Sequence, residues 1–372
     1  MIDPVALALA LVRFDTISPP GNEDECATYL AELLERAGLE VSRHAFAPGR
    51  TSVVARLAAT TTSNRAPLAF TGHLDTVPIG NRPWSFDPRG EIRDGRLYGR
   101  GASDMKGGVA AFVAAVVEAT GQNLSRGITL VLTAGEETGC LGAAHVARLG
   151  ALGEASGLII AEPTSNRLAL AHKGALHLRA RTTGKTAHGS MPDLGDNAVL
   201  KATRAVETLR QFAFGVPDHP LLGSPTLAVT SLRGGEAVNV IPDACVFTLD
   251  LRTLPGQDHA FILRALAERA GDDVAFDSPL ADLPAVGTEP SDPFAIAVAE
   301  TLGSVTSASG SPLGMPYFTD GSVLQRAFGE CPTAILGPGE AGQAHQTDEW
   351  CGTQAIATAG KVYAALIRRW CH

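Results

Sequence analysis

No stretch of this sequence stays apolar long enough to cross a bilayer. The longest such run, "GGVAAFVAAVVEA" from Gly107 to Ala119, falls short of the ~20 residues a spanning helix needs. It also carries Glu118, so it reads as a buried helix. The N-terminal "MIDPVALALALVRF" has Asp3 and Pro4 where a secretory signal needs a basic region, and a cytoplasmic location is expected. Cysteine is sparse: Cys26, Cys140, Cys245, Cys331, Cys351 and Cys371 lie far apart without a CxxC pair. That spacing excludes a disulfide scaffold and leaves six reduced thiols. Clusters of basic residues are missing too, and the net charge is −9, which argues against nucleic acid or an anionic membrane as a partner. A small molecule is the expected partner. HExxH and GxSxG are both absent, which removes the common zincin and serine-hydrolase chemistries. There is no internal repeat, and compositional bias is confined to a mild alanine excess and a Ser/Gly-rich stretch near Ser304 to Ser311.

What is present is a chain of 372 residues, 45% of them hydrophobic, enough for a large core and, by length, for two domains. Residues from about 4 to 38 have helical periodicity, with "ATYLAELLERAGLE" placing apolar side chains at i, i+3, i+4 and i+7. Strands are expected around Val53 to Leu57 and in "APLAFTGH", "GITLVLTAGEE" and "GLIIAEPT". These short apolar runs, rich in β-branched residues, fit strands buried on both faces. Helical segments "MKGGVAAFVAAVVEAT" and "LGAAHVARLG" separate them. Strand and helix alternate, so the first part reads as an α/β layer with a mainly parallel sheet.

From about Gly174 the pattern changes. "GALHLRARTTG" alternates apolar and polar residues like a strand with one wet face. After it come a helix in "NAVLKATRAVETLRQF", strands in "TLAVTSLRGG" and "ACVFTLDLRT", a helix in "HAFILRALAERAG" and a strand in "DVAFD". The order β-α-β-β-α-β is that of a ferredoxin-like layer. After about Leu280 the α/β texture returns, with a helix near Pro293 to Leu302, a strand in "PTAILGPG" and a closing helix to Arg369. The expected organisation is a discontinuous larger domain, 1–173 and 281–372, with a smaller domain, 174–280, inserted into it.

Possible metal ligands gather where strands end. "LAFTGHLD" ends in His73 and Asp75, "ITLVLTAGEE" in Glu136 and Glu137, and "LIIAEPT" in Glu162, while "AILGPGEAGQAH" leads to His345. "GRGASDMKGG" sets Asp104 in a glycine-rich turn before the buried helix. In open α/β sheets ligands collect at the carboxyl ends of strands. Singly, each residue has a bland explanation: a solvated turn, an exposed histidine, a helix cap for Asp104. Together, two histidines and several carboxylates without thiolates suit a pair of divalent ions. Asp104, in its tight turn, is placed to bridge them. Glu136 and Glu137, adjacent on an extended segment, point opposite ways.

In order, "GHLDTVP", "GRGASDMKGG", "AGEETG", "AEPT", "TAHGSMP", "NVIPD" and "AHQTDEW" resemble the successive motifs of the M20 metallopeptidase family, which includes acetylornithine deacetylases, succinyl-diaminopimelate desuccinylases, aminoacylases and carboxypeptidases. The resemblance runs over nearly the whole chain. It implies a zinc-peptidase-like catalytic domain with an inserted ferredoxin-like lid and dimerisation domain. It implies that His73, Asp104 and Glu162 hold one metal ion while Asp104, Glu137 and His345 hold the other, zinc first and cobalt or manganese as alternatives. Glu136 would be the general base and Asp75 would orient His73. His188, in "TTGKTAHGSMP", would reach the active site of a partner subunit in a homodimer and stabilise the oxyanion. Asn239 and Arg252 would bind a substrate carboxylate, and Thr319 would line the acyl or side-chain pocket. The implied reaction is amide hydrolysis of an N-acyl amino acid. "GPGEAGQAHQTDEW" and "YFTDGSVL" point to the acetylornithine deacetylase branch, with desuccinylase, dipeptidase or carboxypeptidase as alternatives. A catalytically silent binding homologue is the alternative of another class, and Glu136 with all five ligands in place argues against it.

Two competing motifs fail on context. "GPGEAG", Gly337 to Gly342, has too little chain after it for a dinucleotide fold. "TGKT", Thr183 to Thr186, has Arg179 where a phosphate loop requires glycine.

Overall fold

Buried strands and covering helices alternate through the first half of the chain, in a computed structural model that describes residues 2–61, 64–306 and 310–372. Residues 307–309 of the Ser/Gly-rich stretch lie outside the described residues. The chain divides into two compact units, one of Met1–Ala171, Gly287–Gly314 and Thr319–His372, the other of His172–Val286 and Met315–Phe318.

The larger unit is built on a sheet whose centre is parallel. Leu68–His73 runs parallel to both Ile128–Thr133 and Gly157–Ile160, and Gly157–Ile160 runs parallel to Thr333–Ile335. All four strands are buried throughout, which is why they read as unbroken apolar runs. Antiparallel strands Arg50–Leu57 and Glu40–Ala47 finish one side. Register decides the functional geometry. His73 lies opposite Thr133, and Ile160 lies opposite both Thr71 and Ile335. The strands therefore end at one level, and the residues just beyond them share one edge.

Helix Gly107–Ala119 is buried along nearly its whole length and packs against Thr353–Cys371 and Pro4–Val12. Phe112 stacks on Phe70 at 5.8 Å between ring centres, and Tyr363 meets Phe70 edge-on at 5.6 Å. Gly108 allows the helix to approach the sheet: a β-carbon there would lie 2.2 Å from the carbonyl oxygen of Ala161.

The N-terminal helix expected over residues 4 to 38 is two helices, Pro4–Val12 and Asp24–Arg36. Asp3 caps the first by accepting the Val5 N–H at 2.9 Å, with Pro4 in the first turn, where a missing N–H does no harm. Between them, Pro19, Pro20 and Gly21, the last at φ +85°, cannot continue a helix. The apolar periodicity on either side hid this break.

In the smaller unit an antiparallel sheet has the order Thr226–Gly234, Ala244–Thr253, Gly174–Thr183, Val274–Phe276. In chain order these are the second, third, first and fourth strands of the expected β-α-β-β-α-β unit. Alternate residues Leu176, Leu178, Ala180 and Phe247, Leu249, Leu251 turn inward against Ala202, Leu209, Ile262 and Leu266 of helices Ala198–Leu209 and His259–Ala270. Among the described residues no helix is long and apolar enough to cross a membrane.

Candidate metal centre

At the common edge of the sheet, His73 closes its strand fully buried, 1% exposed. Its Nδ1 lies 2.9 Å from the main-chain oxygen of Asp75 and 3.7 Å from the Asp75 carboxylate. A proton on Nδ1 is donated to that carbonyl, which leaves Nε2 as the free ligand atom. Nε2 lies 3.1 Å from Asp104 Oδ1 and 3.9 Å from Glu162 Oε1. The other oxygen of Asp104, Oδ2, lies 3.4 Å from His345 Nε2, and His345 Nε2 lies 3.1 Å from Glu137 Oε1. Asp104 thus offers one oxygen to each of two groups: His73 with Glu162, and His345 with Glu137. Ligand atoms of His73, Asp104 and Glu137 all fall within 4.8 Å of one another.

The electrostatics ask for cations. Among the described residues, no lysine or arginine comes within 4.0 Å of Asp104, Glu136, Glu137 or Glu162. Burial pushes the Glu162 carboxyl well up, and the Asp104 charge adds to it. Burial also raises Glu136, with the charges of Glu162 and Glu137 adding to it against the pull of His73. For Asp104 burial works upward, but hydrogen bonds to His345 and His73 outweigh it and hold the carboxyl below its usual range. Hydrogen bonds to Asp104 and Glu137 draw His345 up to about 10. Packed carboxylates that pull protons onto their only basic neighbours, with imidazoles and no thiolates, fit divalent metal ions.

Asp75 holds the two glutamates in place. Its carboxylate accepts the N–H of Glu136 at 3.0 Å and of Glu137 at 3.2 Å. Gly135, at φ +73°, turns the chain just before them. Glu137 then faces His345, while Glu136 is 5% exposed, its Oε1 4.0 Å from Cys140 Sγ. Sequence reasoning missed the residue that holds the Asp104 loop. Glu349, fully buried, accepts the N–H groups of Gly101, Ser103 and Asp104 at 2.9, 2.9 and 3.1 Å and the Arg100 guanidinium at 2.7 Å. Its signal was its place in "AHQTDEW". Asp320, with Thr133 donating to its carboxylate, was likewise unmarked, and burial raises it to about 6.

Four expected site residues have partners other than these ligands. Thr319, expected to line a pocket, is 0% exposed, and its hydroxyl accepts the Gly321 N–H at 3.0 Å. It lies at the start of helix Gly321–Ala327. In the smaller unit His188 pairs with Val240 on a two-stranded ribbon. Its Nδ1 accepts the Ser190 N–H at 3.1 Å, so the neutral ring carries its proton on Nε2. Asn239 adjoins it, exposed, its carbonyl accepting the Gly189 N–H at 2.7 Å. Arg252 is held by Asp250, with Nε–Oδ1 2.9 Å and Nη2–Oδ2 3.1 Å.

Known proteins resemble the chain throughout. The profile of Peptidase family M20/M25/M40 matches residues 69–369. An acetylornithine deacetylase of Myxococcus xanthus is 32% identical, covering 97% of this chain and 96% of its own. A probable succinyl-diaminopimelate desuccinylase of Staphylococcus epidermidis is 31% identical over 94% and 93%. Among solved structures, an M20 metallo-carboxypeptidase of Sulfolobus solfataricus superposes with a TM-score of 0.80 over 99% of both chains at 20% identity, and so shares the fold. The matched span runs from before His73 to beyond His345, and the chain belongs to peptidase family M20/M25/M40, the metal-dependent hydrolases of amide bonds.

Proposed function

We propose that this enzyme removes the acyl group from an N-acyl amino acid at a centre of two divalent ions, with N-acetylornithine as first substrate. The observation that carries the two-ion reading is Asp104, whose oxygens face His73 and His345 separately at 3.1 and 3.4 Å. His73, Asp104 and Glu162 would hold one ion, and Asp104, Glu137 and His345 the other, with zinc as the first choice. Such ions supply a water of pKa about 7 and polarise the acyl oxygen.

The remaining steps belong to the protein. Glu136, buried among carboxylates that favour its protonated form, accepts a proton from the attacking water and returns it to the departing amine. Asp75 keeps that carboxylate in place through the two N–H groups it accepts. His188, with its proton on Nε2, is suited to donate to the developing oxyanion, and we assign it to the site of a second copy in a homodimer formed through the smaller unit. Asn239 lies beside it to meet the substrate carboxylate. Arg252 serves the same purpose once it exchanges Asp250 for substrate.

A desuccinylase is the second reading, favoured by the Staphylococcus epidermidis relative at 31% identity against 32% for the deacetylase. Zinc-loaded protein assayed against N-acetylornithine, N-succinyl-diaminopimelate and a set of dipeptides decides among them. Turnover of N-acetylornithine is expected. Turnover confined to the succinyl compound or to dipeptides overturns the first choice.

A further inference from the structure

A second cleft, of about 630 Å³, lies in the larger unit where the chain breaks between its first two helices. No proposed metal ligand lines it. Its size falls within the range of small-molecule sites. Three guanidinium groups line it, Arg13, Arg89 and Arg100, against two carboxylates, Asp15 and Glu25. Arg13 and Arg89 are exposed, and among the described residues neither guanidinium has a carboxylate oxygen within 4.0 Å. Arg100 is 5% exposed. It gives Nη1 to Glu349 at 2.7 Å and Nη2 to the Pro78 carbonyl at 3.1 Å, yet its Nε is buried without any acceptor.

One more basic group lies behind the wall. Lys106 is fully buried, and its ammonium reaches only the Phe14 carbonyl at 3.2 Å and the Thr16 hydroxyl at 2.7 Å. Both of those residues line the cleft. Among the described residues no carboxylate oxygen lies within 4.0 Å of the Lys106 ammonium, and the charges of Asp75, Glu349 and Asp15 act on it from farther off. Val12, Phe14 and Ile17 supply an apolar floor.

The cleft also touches the supports of the metal centre. Arg100 shares Glu349 with the Asp104 loop. Thr76, on the wall, follows Asp75 and exchanges main-chain hydrogen bonds with the neighbouring segment, Thr76 N–H to the Thr16 oxygen at 3.0 Å and Ser18 N–H to the Thr76 oxygen at 2.8 Å.

We propose that this cleft binds a small organic carboxylate with an apolar body, held by the guanidinium groups of Arg13 and Arg89, and that the bound molecule is coupled to the metal centre through Arg100 and Glu349. Arginine's fork suits a carboxylate, and the apolar floor takes the rest of the molecule.

Calorimetric titration of the zinc-loaded full chain with 3-phenylpropionate tests the binding, and titration of zinc with and without that probe tests the coupling. Arg13→Ala with Arg89→Ala, both exposed positions outside the catalytic machinery, is expected to weaken probe binding at least tenfold. Glu25→Gln, which removes a repelling charge, is expected to tighten it. By reciprocity the probe changes zinc affinity by the same factor that zinc changes the probe's, expected to be about fivefold or more. No detectable binding at millimolar probe, binding indifferent to the arginine and Glu25 changes, zinc affinity unmoved by the probe, or inorganic phosphate binding as tightly as the probe would each overturn the proposal. None of these readouts uses turnover, so they stand apart from the identity of the substrate.

Discussion

The carboxylate of Glu349 accepts the backbone N–H of Asp104 at 3.1 Å, so the residue four places after His345 fixes the loop that carries the proposed bridging ligand. The same carboxylate also satisfies Gly101, Ser103 and Arg100. One buried anion therefore serves three main-chain donors that a tight turn leaves without partners, and it ties the two chain segments that meet at Asp104 and His345.

Replacing Glu349 by alanine strips a buried guanidinium and three N–H groups of their acceptor at once. Loss of one partner of a buried ion pair costs about 3–5 kcal/mol, and disturbance of a group that orients a metal ligand typically lowers affinity ~10- to 100-fold. A fall in melting temperature together with weaker zinc binding is expected, with Glu349→Gln intermediate in both. Zinc affinity equal to that of the unchanged protein in a chelator competition would show that the loop holds Asp104 without this clamp.

Glu136→Gln keeps the shape and burial of the side chain but removes its ability to take a proton. Glu136 has no proposed metal contact, and its N–H bond to Asp75 is made by the main chain. Turnover is expected to fall by about 10²–10⁴-fold, with zinc content by elemental analysis unchanged. Loss of zinc in step with activity would place Glu136 among the ligands.

Much of this was open to reading from residue order alone. His73, Glu137, Glu162 and His345 could be singled out because apolar runs stop at or shortly before polar residues, and Asp104 by its glycine-rich turn before the buried helix. The parallel register then brings those ends to one level. The β-α-β-β-α-β order could be read for a related reason: strands such as Gly174–Thr183 alternate between core and a wetter face from Leu176 onward. Other features left no local trace. Thr319 sits in a polar-looking "YFTDG" and is nonetheless fully buried at a helix start. Arg252 has its Asp250 partner two residues away on the same strand, and their shared face follows from the period of the strand, yet nothing local distinguishes a committed arginine from one free for substrate. The role of Glu349 depends on contact with residues some 250 positions earlier, which no spacing rule reaches. The helix break at Pro19 and Pro20 was visible as composition, but the apolar periodicity around it obscured it.

Metal uptake should displace protons. His345, drawn up to about 10 by Asp104 and Glu137, carries a proton at neutral pH and must lose it to become a ligand. Zinc affinity is therefore expected to rise as pH is raised from 6 toward 9, by ~tenfold per pH unit for each proton released. Titrations at pH 7 in buffers of differing ionisation enthalpy count those protons, and His345→Gln is expected to release one fewer. Equal proton counts for the two proteins would remove His345 from the ligand set.

His172, outside the metal cluster, gives a pH dependence of its own. It is fully buried, with Nδ1 2.9 Å from the Lys173 main-chain oxygen and Nε2 without a partner. Burial lowers it from 6.5 to about 4. Above pH 6.5 the ring is neutral whether the chain is folded or unfolded, and it makes no difference to stability. Between 6.5 and 4 the unfolded chain takes up a proton that the folded one refuses, so the stability this residue confers declines as pH falls through that window. At about 1.4 kcal/mol per pH unit the full loss is about 3 kcal/mol. In histidine-labelled protein, NMR titration should show one imidazole changing state near pH 4, absent from His172→Gln. The variant should also lose less stability than the unchanged protein between pH 7 and 4.5. An imidazole assigned to His172 that titrates near 6.5 would mean that water reaches Nε2, and the acid sensitivity would then have to come from elsewhere.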